Sequence, residues 1–79
     1  MKHGSHVLRA TKQRITDYLR QHPAAADSAG GIHRWWLQGG EVAPQVVEQA
    51  LDELVAEGVV ARTVLSDGHA VYGAMHRSG

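Results

Sequence analysis

The segment PQVVEQALDELVAEGVVARTVLSDGHAVYGAM, from Pro44 to Met75, restricts the possible folds more than any other part of the chain. It begins with a proline suited to the first position of a helix, because the missing amide is one that would go unpaired there anyway. Val47, Ala50, Leu51 and Leu54 then fall in one narrow sector at 100° per residue, a buried helical stripe. Gly58 is placed as the stop, since a helix commonly ends on a residue with positive φ. Beyond it, Val59 to Leu65 and Ala70 to Met75 read as two strands, with Ser66-Asp67-Gly68-His69 between them. Asp-Gly at the loop centre predicts a two-residue type I′ turn. Counting outward from it sets Val64 opposite Val71, Thr63 opposite Tyr72 and Arg62 opposite Gly73.

Upstream, KQRITDYLRQ predicts a helix with Thr11 as its N-cap and Ile15, Tyr18 and Leu19 as its buried positions. His22 before Pro23 ends it, because proline disfavours helical geometry in the residue before it. Residues 1–10 are either an arm or an upstream extension of this helix, with Val7 and Leu8 as apolar positions and Ser5 as a possible cap. After Pro23-Ala24-Ala25-Ala26, either Asp27 or Ser28 caps a second helix through GIHRWWL. Gly30 and Gly31 each weaken that helix by up to about 1 kcal/mol relative to alanine, so packing by Ile32 and the tryptophans must hold it. Ile32 and Trp36 share a face, Trp35 lies one step round, and the pattern leaves open which indole is buried. Gln38-Gly39-Gly40 is a turn. Ala43 caps the third helix without a side-chain acceptor, and Val42 and Val47 have the spacing of a hydrophobic staple.

Three helices and a hairpin in the order helix, helix, turn, helix, wing resemble the winged-helix subclass of helix-turn-helix domains. The resemblance runs from Thr11 to Met75, and its specific part is VVEQALDELVAEGVVARTVLSDGHAVY, which looks like the recognition helix and wing of many bacterial transcription regulators. It implies a mostly α domain with a small β-hairpin over 11–75, leaving 76–79 as a tail. It also implies that the third helix would read a DNA groove through Gln45, Glu48, Gln49 and Asp52, with Ala43 and Val46 beside them and Arg62 and His69 on the wing.

Charge departs from that pattern. The 79 residues sum to zero, yet residues 1–40 carry six basic against two acidic side chains, net +4, and residues 41–79 carry two against six, net −4. DNA affinity comes largely from cations on phosphates, and base readout leans on arginine, lysine and amides. The third helix has no lysine or arginine. Its outward sector holds Gln45, Glu48, Gln49, Asp52 and Glu53. The expectation is a protein-interaction module that presents an acidic helix. The alternative is a DNA-binding transcription regulator that uses either the winged helix-turn-helix or its basic first two helices, with Lys12, Arg14, Arg34, Arg62 and His69 as the nucleic-acid contacts.

Other classes find little support. Without cysteine there is no thiolate nucleophile and no Cys-based metal site. His3 and His6 are spaced i, i+3 but lack a third ligand, and His22, His33, His69 and His76 fall on separate elements with no triad partner. The glycine pairs read as turns, because no phosphate loop follows a strand. No catalysis, metal or cofactor is expected. The N-terminus lacks the apolar core of a signal peptide and no run approaches a membrane span, so the expectation is a cytoplasmic protein with no membrane partner.

Overall fold

A computed structural model describes residues 3–37 and 42–75, with side chains in the first helix from His6 onward. The turn expected at Gln38-Gly39-Gly40 and the tail 76–79 lie outside the described residues, as does the His3 side chain. Among the described residues, three helices and a three-stranded antiparallel sheet pack around one core, so the fold is mixed α/β rather than mostly α with a lone hairpin.

Helix α1 (His3–Gln21) starts a full two turns before the expected cap. Thr11 sits in mid-helix, 1% exposed, and its hydroxyl donates to the Val7 carbonyl at 2.8 Å. The hydroxyl is thus satisfied within the helix, while its β-branched body joins Leu8, Ile15 and Leu19 in the apolar stripe. Residues 3–10 are therefore helix, not a detached arm. The C-terminal end is where His22-Pro23 requires it.

Strand β1 (Ala26–Asp27) was not expected. It pairs antiparallel with the last strand, Ala26 with Gly73 and Asp27 with Tyr72. A two-residue strand has no periodicity to read, and the approach depends on a distant glycine: a Cβ on Gly73 would lie 2.9 Å from the Ala25 carbonyl oxygen.

Ser28 settles the choice of cap for α2 (Ala29–Gly31), its Oγ accepting from the Gly31 amide at 3.1 Å while Asp27 accepts from the Ser28 amide. The segment then widens into a π-helix, Ile32–Trp36, closed by the Leu37 amide donating to the Ile32 carbonyl five residues back. That wider turn sends Ile32, Trp36 and Leu37 all inward. Trp36 stacks on Tyr18 with ring centroids 4.5 Å apart, and Trp35 stays 65% exposed.

Helix α3 (Pro44–Ala56) buries the expected four residues, Val47, Ala50, Leu51 and Leu54, and Ala43 caps it without a side-chain bond. Its end is a Schellman motif: Gly58 at φ +77° donates to the Val55 carbonyl and Val59 donates to the Leu54 carbonyl.

Strands β2 (Val60–Val64) and β3 (Ala70–Ala74) form the hairpin, one residue out of the expected register. The pairs are Val64 with Ala70, Thr63 with Val71 and Arg62 with Tyr72. The loop has three residues, not two. Gly68 donates to the Leu65 carbonyl, Leu65 donates to the His69 carbonyl, and Gly68 has φ +91°. This is a type I turn followed by a left-handed residue, the geometry of a G1 bulge. In the sheet order β1-β3-β2, Val60 and Tyr72 face the helices, and the opposite face carries Ala61, Thr63, Val71 and Gly73.

The outer face of α3 as candidate functional site

On α3 the buried stripe fixes what faces outward. Gln45, Glu48, Gln49 and Asp52 follow one another at i, i+3, i+4 and i+7 and are all exposed. They form a ribbon of two amides and two carboxylates along about two turns. Ala43 at its start is exposed and Val46 is half-buried beside it.

Glu53 leaves this ribbon. It is half-buried and drawn toward α1, where Lys12 Nζ lies 3.1 Å from its carboxylate and also bonds Glu57. One ammonium therefore clasps two carboxylates a single helical turn apart. Its pKa is raised above the ordinary lysine value by the hydrogen bond it donates to Glu57 first and to Glu53 second. Gln49 reaches toward Glu53 at 3.5 Å, a long contact that tethers the ribbon only weakly to the clasp.

The clasp forms the rim of a groove of about 390 Å³ between α1 and α3, with Leu8, Leu54 and Val59 as apolar lining. Nothing in the sequence alone pointed to it. Glu53 and Glu57 are spaced to share a cation, but the cation sits 41 residues upstream of the nearer one and meets it only through helix packing.

The residues proposed for nucleic-acid contact do not gather. Lys12 is committed to α3, and Arg14 donates to the Leu37 carbonyl at 2.9 Å, closing the end of the π-helix. Arg34 is exposed and shares a shallow hollow with Glu48 and Pro44. Arg62 is exposed on β2. His69, at the hairpin tip, bonds Asp67 through Nδ1 at 2.9 Å, so the tip carries an acid beside its imidazole. The Asp67 carboxyl is held below its ordinary pKa, chiefly by the His69 side chain and then by the His69 amide.

His33 has a structural task. Its Nε2 lies 2.7 Å from the Val42 carbonyl, tying the π-helix to the approach of α3 across the connecting segment. Among the described residues no three His, Asp or Glu side chains converge as metal ligands, and no helix is long and apolar enough to cross a membrane.

No protein-family model matches the chain, and no match was found among curated proteins or solved structures.

Proposed function

We propose that this chain is a small winged-helix protein that works by binding, and that the outer face of α3 docks a protein partner. The order of three helical segments followed by the hairpin β2–β3 supports the winged-helix reading.

One observation carries the functional reading. The ribbon Gln45, Glu48, Gln49 and Asp52 holds two carboxylates and no cation, while in the basic half Lys12 is bonded to Glu53 and Glu57, Arg14 is bonded to the Leu37 carbonyl, and Arg34 borders the ribbon at Glu48 alone. A face of this kind repels a phosphate backbone and favours a partner that brings lysine or arginine to the carboxylates and amide-pairing groups to the glutamines. The hairpin tip agrees, because Asp67 offsets whatever charge His69 acquires.

The test reverses the two free carboxylates, Glu48→Lys and Asp52→Lys, and leaves Glu53 to hold Lys12. Fluorescence anisotropy with duplex DNA should show weak, salt-sensitive association for the unmodified protein and stronger association for the double variant, each added cation near phosphate releasing counterions. Capture of a protein partner from the source cell's lysate should be lost in the same variant. Tight, sequence-specific DNA binding by the unmodified protein at physiological salt, lost on charge reversal, would replace this reading with that of a regulator. DNA binding that vanishes on neutralising Arg34 and Arg62 but ignores α3 would assign the work to the scattered basic residues.

A further inference from the structure

The hairpin holds four of the six large apolar side chains that the described residues leave exposed: Val59 at 37%, Val64 at 57%, Leu65 at 45% and Met75 at 44%. It also holds an open sheet edge, because β3 is the central strand and β2 pairs on one side only. Register fixes which backbone groups that edge presents. Leu65 donates to the His69 carbonyl and Met75 donates to the Val59 carbonyl, so residues 59, 61, 63 and 65 direct their amides and carbonyls at β3. The groups of Val60, Arg62 and Val64 point the other way. Val60 is wholly buried, which leaves Arg62 and Val64 as the accessible edge.

We propose that this edge pairs with the same edge of a second copy of the chain, antiparallel and centred on Thr63. The choice of register follows from elimination; an axis at Val64 would set Arg62 against Ser66, in the loop beyond the end of β2, and keep only the Val64 pair within the strands. A two-fold axis at Arg62 would set two guanidiniums directly opposite and would require the buried Val60, and an axis at Ala61 also requires Val60. An axis at Thr63 requires neither. Arg62 exchanges both backbone bonds with Val64 of the second copy, and Val64 does the same with Arg62, giving four new hydrogen bonds.

The side chains suit that register. Thr63 meets Thr63, Leu65 meets Ala61, and Arg62 faces Val64, so no like charges oppose one another. On the outer face that the two sheets would then share, the hollow of about 310 Å³ is lined by Pro23, alanines, Thr63, Val71, Gly73 and Met75 without a single ionisable side chain. A contact that uses the same patch on both copies closes on itself and stops at two. This interface is separate from the α3 ribbon, and each inference stands without the other.

The absence of cysteine makes the test direct. At the axis Thr63 and its copy form a non-hydrogen-bonded pair with Cα atoms about 4.5 Å apart, within the range of about 4.4–6.8 Å that a disulfide spans. Thr63→Cys should therefore oxidise to a covalent dimer. Ala61→Cys alone and Leu65→Cys alone should not, their copies lying about 13 Å apart along the strands, whereas an equal mixture of the two should cross-link with each other. Sedimentation of the unmodified full chain from micromolar to millimolar concentration should show a monomer–dimer equilibrium. Val64→Pro, which deletes one outward amide and leaves the ladder to β3 intact, should weaken it at least about tenfold. A monomer at every concentration overturns the proposal. So does a dimer that Val64→Pro leaves unchanged, or one in which Ala61→Cys cross-links to itself and Thr63→Cys does not, since either places another face at the contact.

Discussion

Two adjacent indoles in this chain have opposite fates, and the cost of deleting each should differ by most of the domain's stability. Trp36 is 7% exposed and stacked on Tyr18, whereas Trp35 is 65% exposed. Trp36→Ala should cost about 3–5 kcal/mol, and Trp35→Ala should stay within about 0.5 kcal/mol of wild type. Chemical denaturation followed by circular dichroism would separate them, and equal effects would contradict the packing. Adjacent glycines diverge in the same way. A Cβ on Gly30 has only Ser28 Oγ near, at 4.0 Å, whereas a Cβ on Gly31 would overlap the Asp27 carboxylate that accepts the Ser28 amide. Gly30→Ala should thus stabilise by up to about 1 kcal/mol, and Gly31→Ala should destabilise by about 1–3 kcal/mol despite the better helix former. Thermal melts of the two variants should move in opposite directions.

At the scale of elements, the hairpin shows how a correct assignment can carry a wrong register. Both strands and the Asp67-Gly68 corner were legible, because β-branched runs flank a strong turn signal. The loop length was not, since Asp-Gly serves a two-residue type I′ turn and also the last two positions of a three-residue loop with a G1 bulge. One added loop residue exchanges Val71 for Ala70 opposite Val64, and only the packing of Tyr72 and Val60 against the helices selects it. Gly68 needs positive φ under either reading. Gly68→Val should cost about 1–2 kcal/mol, seen as a lower denaturation midpoint with shifted amide resonances from Arg62 to Tyr72. Acid should act on the same tip. The folded Asp67 pKa lies below its unfolded value, so its contribution is present above the unfolded pKa and is lost as pH falls through the folded one. An NMR titration should find the Asp67 midpoint below that of a free aspartate in the folded protein and moved upward by His69→Ala. Helix α3 was legible because stripe, proline and glycine agree. The start of α1 was not, because a threonine that looks like a cap is equally able to bond its own helix. The ribbon on α3 was legible apart from Glu53, whose position depends on a lysine from another helix.

At the scale of the molecule, the closure least visible in the sequence is that of β1 on β3, which ties the connection between α1 and α2 to the hairpin. Gly73 permits it. A methyl group there would meet the Ala25 carbonyl at 2.9 Å, and backbone cannot step aside as a side chain can. Gly73→Ala should therefore cost about 1–3 kcal/mol, and hydrogen exchange should show protection falling at Ala26, Asp27 and Tyr72 while the α1–α3 pair keeps its own. The π-helix bears on the molecule in another way. A turn closed five residues back holds one residue more than a turn closed four back, so the chain between Ile32 and Leu37 is longer by one than its path demands. Trp35 is the residue standing outside the core there. Deleting Trp35 would let the segment rewind as ordinary α-helix with Ile32, Trp36 and Leu37 still in reach of their neighbours. In that sense the fold has a spare letter, and the chain spells it with its most exposed indole.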